Sequence, residues 1–304
     1  MSCTKEMFKL PTLIPGEIFV RVHAASVNSI DTIVRAGKLR LFTGGRFPQR
    51  TALDFAGEIS ALGAKISGFR VGDRVWGVLP RGKWGSAAEF VSVPPECLAL
   101  SPKGISSEHA AALPTVGATA LIALREVAKL QRGERLLIRG ANGGVGVAAV
   151  QLGHALGANV TGLASSANLV FVREFGADRA FDYATTAPSE LGKFDVILDT
   201  VGKRLAEYRR LLTPKGRMIT IAIDSKAPIS ALMFIAASTV FGGQRVRFFG
   251  AKFSAEILND LTSSVEAGAL RPVVDTIYPL SEIGAAHIAL EKGGRRGKQI
   301  VTLL

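Results

Sequence analysis

The most constraining stretch of the chain is Gly140-Ala141-Asn142-Gly143-Gly144-Val145-Gly146, which follows the apolar run Leu136-Leu137-Ile138 without a linker. A helical stripe of Val145, Ala148, Ala149, Leu152, Ala155 and Leu156 then begins inside it. A turn this tight from strand to helix needs glycine for its dihedrals. A missing Cβ lets the backbone approach a pyrophosphate, and another lets helix and strand pack closely. The first turn of the helix offers N–H groups and a positive dipole end to phosphates. Gly157-Ala158 closes the helix before the next strand. Residues 140 to 146 are therefore expected to bind a dinucleotide.

The surrounding pattern agrees with that reading. Arg135 to Arg139, Asn159 to Ala164, Phe194 to Leu198 and Arg217 to Ala222 read as apolar strands, with helical stretches from Val145, Asn168 and Leu205 between them. Such alternation marks a doubly wound parallel sheet. Gly16 to Val93 is different: short strand-like runs are separated by turn signals at Pro15-Gly16, Gly68, Gly72-Asp73 and Pro94-Pro95, which suits a β-barrel or sandwich. Helical periodicity follows in Glu108 to Leu113 and Ala118 to Lys129. The tail mixes helices at Ala255 to Ala267 and Ser281 to Glu291 with strands at Val273 to Tyr278 and Gln299 to Leu304. A chain of 304 residues has room for two cores. The expected division of this α/β protein is 1–114 with 251–304, and 115–250.

Only Cys3 and Cys97 are present, so neither a disulfide framework nor a four-cysteine zinc lobe can be built, and a reducing cytoplasm fits. Met1 to Leu10 mixes Lys5, Glu6 and Lys9 into a segment without a signal-peptide core. Ala227 to Gln244 carries no charge, but Pro228, Ser230, Ser238 and Thr239 interrupt it, so it reads as core or subunit contact rather than a membrane span. The formal charge of +12 would attract anions. Its densest groups, Arg209-Arg210 and Arg295-Arg296 with Lys298, are short, and a solvated basic surface is the simpler account. A second reading, a dinucleotide-binding protein acting mainly on nucleic acid or a membrane surface, rests on that charge.

The end of the second strand of a dinucleotide fold selects the cofactor, because an acid there accepts the ribose hydroxyls of NAD and repels a 2′-phosphate. This strand ends Leu163-Ala164-Ser165-Ser166-Ala167-Asn168, with no acid before Glu174. Ser165 and Ser166, with Tyr183 beyond the third strand and Arg173 at a distance, are candidate phosphate donors. The serines could equally cap a helix. NADPH is the expected cofactor.

Seven motifs in order then carry a family likeness. Val22 to Asn28, Asp54-Phe55-Ala56-Gly57, Val71 to Val75, the Gly140 to Gly146 turn, Phe175 to Asp178, Phe194 to Gly202 and Arg296-Gly297-Lys298 resemble the medium-chain dehydrogenase/reductase superfamily. Within it the chain is similar to the zinc-free quinone oxidoreductase and enone reductase branch. The resemblance implies a GroES-like β-barrel domain beside a Rossmann domain, a homodimer, and hydride transfer from NADPH to a quinone or α,β-unsaturated carbonyl. It implies a nicotinamide at the floor of a cleft, Val201 and Lys298 toward the cofactor, and Thr119 near the nicotinamide carboxamide. Lys298 could also be a solvated lysine, and Thr119 could back-bond within its helix.

Metal chemistry is not expected. Where zinc-using relatives have their cysteine, histidine and third ligand, this chain matches Asn28, Leu53 and about Thr115. Asn28 is then the candidate to donate to a developing oxyanion or to orient the nicotinamide ring, although asparagine also suits a turn there. Asp31 and Asp54 read as structural. Departures from the family pattern are Ile33 in place of a common tyrosine, Ala167 or Asn168 in place of a phosphate-binding cation, and a short segment before Thr12. That shortness implies an open barrel edge or a start site further upstream.

Overall fold

The computed structural model describes residues 12–37, 50–224, 227–240 and 244–303. The N-terminal segment with Cys3, and part of the uncharged Ala227 to Gln244 stretch, lie outside the described residues. Two compact units emerge, Met1–Ala118 with Lys252–Leu304, and Thr119–Ala251. In chain order the first contributes β1 (Ile18–Val27), α1 (Ser29–Arg35), β2 (Asp54–Leu62), β3 (Arg74–Val78), β4 (Phe90–Val93), β5 (Leu98–Leu100) and α2 (Ser107–Ala111). Helix α3 (Pro114–Leu121) leads onward. The second unit carries β6 (Arg135–Arg139), α4 (Gly144–Ala155), β7 (Asn159–Ala164), α5 (Leu169–Glu174), β8 (Arg179–Asp182), β9 (Phe194–Asp199), α6 (Leu205–Arg209), β10 (Leu212–Thr220), α7 (Pro228–Val240) and β11 (Val246–Phe248). The chain then returns to the first unit with α8 (Ala255–Glu266), β12 (Val274–Pro279), α9 (Ile283–Lys292) and β13 (Lys298–Thr302).

In the first unit β1 organises a sheet of order β12-β13-β1-β2-β3-β5. Its first half, Ile18 to Arg21, also pairs with β4, and its second half, Ala24 to Val27, pairs with β13. The sequence permits this because Ile18, Val20 and Val22 alternate with Phe19 and Arg21 and so define one inward face. That face packs with Phe55, Ile59, Val75 and Leu98 into one core. Close pairing of β1 on β2 depends on Gly57, where a Cβ would lie 2.0 Å from the Arg21 carbonyl oxygen. The GroES-like expectation is met here.

The second unit is a parallel sheet of order β11-β10-β9-β6-β7-β8. Strands β6 and β9 are neighbours although two strands separate them in sequence, so the winding reverses between them. Both are apolar on each face: Leu136, Leu137, Ile138, Val196, Ile197 and Leu198 are fully buried. The four strands read from sequence are present, and β8 and β11, at four and three residues, join them. The Rossmann expectation is met.

One local reading changes, and the uncharged stretch gains detail. The helix expected over Ala118 to Lys129 begins earlier, at Pro114, which suits a first-turn position, and continues as a π turn over Ile122–Val127. The uncharged stretch forms α7, which turns Ile235 and Ser238 inward while Ile229, Leu232 and Met233 stay exposed. No helix among the described residues is long and apolar enough to cross a membrane.

Gly57→Ala is expected to lower unfolding stability by about 2–3 kcal/mol, because backbone of β1 must move to admit the methyl. Urea denaturation measures it.

Candidate functional site

The glycine turn closes at the carboxyl end of β6. Gly140 adopts φ +72°, and its N–H and that of Ala141 both donate to the Leu163 carbonyl at the end of β7, at 3.1 and 2.9 Å. Gly143 caps α4, with Val147 N–H donating to its carbonyl at 2.8 Å. A Cβ on Gly146 would lie 2.0 Å from the Gly140 oxygen, and one on Gly140 would lie 2.4 Å from Thr200 Oγ1. Glycine here brings helix onto turn and leaves a shallow backbone cradle. The N–H groups of Gly144, Val145 and Gly146 belong to the first helical turn, which lacks carbonyls four residues back.

Beside the turn, where the winding reverses, a buried ion pair joins β6 to β9: Arg139 Nη1 donates to Asp199 Oδ1 at 2.6 Å. The same nitrogen donates to the Lys203 carbonyl, and the guanidinium lies 3.6 Å above the Tyr208 ring. Asp199 also accepts from the N–H of Val201 and Gly202 and from the Thr220 hydroxyl. The loop after β9 is thereby fixed with Val201 exposed. Next to it, Gly202, Arg204, Asp224, Ser230 and Phe234 line a cavity of about 280 Å³. An arginine and an aspartate ending two apolar strands were the signal for this pair in the sequence.

At the end of β7, Ser165 accepts from Asn168 Nδ2 at 3.0 Å, and Ser166 opens the short turn Ser166–Asn168. Ser165 stands at the N-cap position of that turn, but its side chain makes no capping hydrogen bond to the backbone. Tyr183 comes alongside, because its N–H donates to the Ala164 carbonyl at 3.1 Å, and its side chain is exposed. Arg173 donates to the Ala180 carbonyl. Sequence reading passed over Asp182, which pairs in register with Ala164 and accepts from the Ala184 N–H.

The other unit holds a buried polar cluster around Asp54. Its Oδ2 accepts from Ser26 Oγ at 2.5 Å and Asn28 Nδ2 at 2.8 Å, and its Oδ1 accepts from the Thr115 N–H at 2.7 Å. Lys298 Nζ lies 3.7 Å from Asp54 and donates to Asn28 Oδ1 at 2.6 Å and the Val27 carbonyl at 2.8 Å. Asn28 therefore bridges an ammonium and a carboxylate. Its remaining Nδ2 contact, to the Ser26 carbonyl, is long at 3.3 Å. Asp31 accepts from the N–H groups of Asn28 and Ala52. Thr119 is buried one helical turn after Thr115. The alternative that Lys298 stands in solvent is corrected, because its side chain is buried. The β13–β1 register pairs Gln299 with Val27, which sets Lys298 at the inner end of β1 with three oxygen partners.

Comparison with known proteins matches residues 14–103 to the alcohol dehydrogenase GroES-like domain and 175–301 to the family described as zinc-binding dehydrogenase. The mitochondrial NAD(P)H oxidoreductase of Mus musculus is 32% identical over 95% of this chain and 82% of its own length. The 2-methylene-furan-3-one reductase of Solanum lycopersicum is 30% identical over 96% of this chain and 73% of its own. The solved Escherichia coli quinone oxidoreductase in complex with NADPH superimposes with a TM-score of 0.86 at 25% identity, covering 98% and 94% of the two chains. The chain belongs to the medium-chain dehydrogenase/reductase superfamily.

For a member of this superfamily the donor set at the metal position is telling. Asn28, Leu53 and Thr115 bring one amide, one alkyl group and one hydroxyl, and the amide oxygen is already held by Lys298. That set does not fit zinc. Among the described residues no group of three histidine, cysteine, aspartate or glutamate side chains is arranged to hold a metal. Cys97 is half-buried, and desolvation pushes its thiol up to about 11, which favours the protonated thiol at neutral pH. Burial also raises the Asp31 carboxyl to about 7, against its two N–H donors and Lys298, which lower it. Burial holds the Lys298 ammonium below the usual lysine range, although Asp54 and Asp31 oppose that.

A raised carboxyl binds its proton more tightly folded than unfolded, so the Asp31 contribution is present below pH 4 and is lost as pH rises towards 7. The span from 3.8 to about 7 corresponds to roughly 4 kcal/mol. His287, buried with its ring lowered to about 4, has the opposite sign in nearly the same window. Denaturation of Asp31→Asn beside the wild type isolates the effect: the variant is expected to gain on the wild type steadily between pH 4 and 7. A constant difference across that range would refute the assignment.

Proposed function

We propose that this chain is an NADPH-dependent, zinc-independent reductase of quinones or α,β-unsaturated carbonyl compounds, working as a cytoplasmic homodimer. The cofactor part is carried by the glycine turn where the sheet winding reverses: a Cβ on Gly146 would lie 2.0 Å from the Gly140 oxygen, so only glycine lets α4 pack onto the turn and bring its first-turn N–H groups to where a pyrophosphate would bind. In this reading the backbone of residues 140 to 146 binds the phosphates, and Val201 packs against the cofactor from the loop that Asp199 fixes. Ser165, Ser166 and Tyr183 receive the 2′-phosphate, and the absence of an acid between Ala164 and Glu174 supports NADPH. Asp182 weighs the other way, but its carboxylate is engaged with the Ala184 N–H.

When bound, NADPH supplies a hydride. A site that offers no Lewis acid favours acceptors that take a hydride without one. Addition of hydride to the β-carbon of an enone breaks the C=C π bond and leaves its electron pair as an enolate with charge on oxygen. A proton from water then forms the α C–H bond, while NADPH becomes NADP⁺. The chain's own residues must exclude competing water and hold a donor to that oxygen. Asn28 contributes orientation through the amide hydrogen on its long 3.3 Å contact, and Thr119 a hydroxyl toward the nicotinamide carboxamide. Names of relatives, a quinone oxidoreductase and a furanone reductase, support the acceptor class.

The alternative of a protein acting chiefly on nucleic acid or membranes gains no specific observation. Oxidation of NADPH, followed at its absorbance band, is expected with 1,4-quinones or 2-alkenals, at a kcat/KM at least ten times that with NADH. Cofactor binding without turnover of any acceptor would remove the catalytic reading, and preference for NADH would remove the assignment of Ser165 and Ser166.

A further inference from the structure

Each polar side chain bound to Asp54 has its hydrogen-bonding groups engaged: Ser26 on the carboxylate, Asn28 at both ends of its amide, and Lys298 on three oxygens. Thr115 is the exception. Its N–H donates to Asp54 Oδ1, yet its hydroxyl is buried with no hydrogen-bond partner among the described residues. A buried hydroxyl without a partner is costly, and native proteins keep few of them. The residue is only half-buried, and threonine in helices uses two χ1 rotamers. Rotation about χ1 carries the hydroxyl to a second staggered position, away from the one in which it has no partner.

We propose that Thr115 is a catalytic residue whose hydroxyl donates to the carbonyl oxygen of the substrate as negative charge develops there. The proposal deepens the reductase reading and rests on it. Three observations agree. The Asp54 bond to its N–H fixes the backbone of Thr115 at the first turn of α3, where the helix dipole favours negative charge. Thr119 lies four residues along the same helix, about 6 Å further and on one face. The Lys298 ammonium, buried beside Asp54, offsets the carboxylate charge that would otherwise oppose an oxyanion nearby. Serving the substrate oxygen in this way uses a donor that Asn28, already bridging Lys298 to Asp54, has little capacity to supply.

The test compares Thr115→Val, a near-isosteric loss of the hydroxyl, with Thr115→Ser, which keeps it. Turnover with a 2-alkenal or quinone, NADPH affinity by fluorescence titration, and Tm are measured for each. The proposal expects kcat to fall about 100-fold in the valine variant, in the range seen for removal of one oxyanion donor. It also expects NADPH affinity within twofold of wild type, a Tm equal to or above wild type, and kcat restored to within about fivefold by serine. Stability and activity moving in opposite directions is what a hydroxyl reserved for substrate requires. A lowered Tm alongside lowered kcat would make Thr115 structural, and unchanged kcat would end its catalytic assignment; either result overturns the proposal. If the wild type itself shows no turnover, the reductase reading fails first and the Thr115 role falls with it.

Discussion

One buried carboxylate sets the terms for the first unit. Asp54 is fully buried on β2, and a charge in that position survives only if it is paired and hydrogen-bonded. Its partners come from β1 (Ser26), the turn after it (Asn28), the start of α3 (Thr115) and β13 (Lys298). Four separate segments are thus brought to one point, and the last strand of the chain must return beside the first. Removing one member of such a pair leaves the other uncompensated, at a cost of about 3–5 kcal/mol. The cluster constrains backbone and charge together, which explains why Asn28 is a bridge before it is anything else.

The second unit solves a different problem by a similar device. A parallel sheet whose winding reverses leaves an open crevice between β6 and β9, and the loops there must be held without filling it. Glycine removes the side chains, while Arg139 and Asp199 tie the strand ends together just below. Asp199 spends its remaining acceptor capacity on the Val201 and Gly202 N–H groups and Thr220. The turn is then held by its bonds to the Leu163 carbonyl, and the neighbouring loop by Asp199. For the phosphate binding proposed above, a turn already held in place is an advantage, because ordering a loop on binding would subtract from affinity.

How far the sequence discloses this differs between elements. The Rossmann order of strand, glycine turn and helix is legible because each part has a local signature: an apolar run, missing side chains, a helical stripe. Strand β11 is missed, and β8 shows only as the third strand that Tyr183 follows, because three or four residues hold too little periodicity to register. Lys298 is misread for a deeper reason. A lysine after glycine near the chain end looks solvent-borne, and its burial depends on a β13–β1 register that brings it to Val27, 271 positions away. Arg139 and Asp199 each end an apolar strand, a visible oddity, but only the parallel pairing of β6 with β9 makes them a pair. The partnerless hydroxyl of Thr115 has no sequence signal at all, since satisfaction of a donor is a property of its surroundings.

In the zinc-independent reading proposed above, Asn28, Leu53 and Thr115 stand where zinc-using relatives hold the metal, and the consequences extend to the charges around them. A metal neutralises nearby carboxylates and polarises a bound oxygen in one stroke. Here those two tasks are divided. Lys298 meets the first: its ammonium, bonded to Asn28 Oδ1 and close to Asp54, supplies positive charge but is spent on three protein oxygens and cannot also ligate a substrate. The second task falls to neutral donors, which stabilise developing charge well but polarise a ground-state alcohol poorly. Alcohol oxidation requires removal of a hydroxyl proton before or with hydride loss, and nothing in this cluster makes that proton acidic. Reduction of a conjugated acceptor places charge on oxygen only as the hydride arrives. On the proposed reading, the division of labour around Asp54 favours reduction in the conjugated direction on electrostatic grounds.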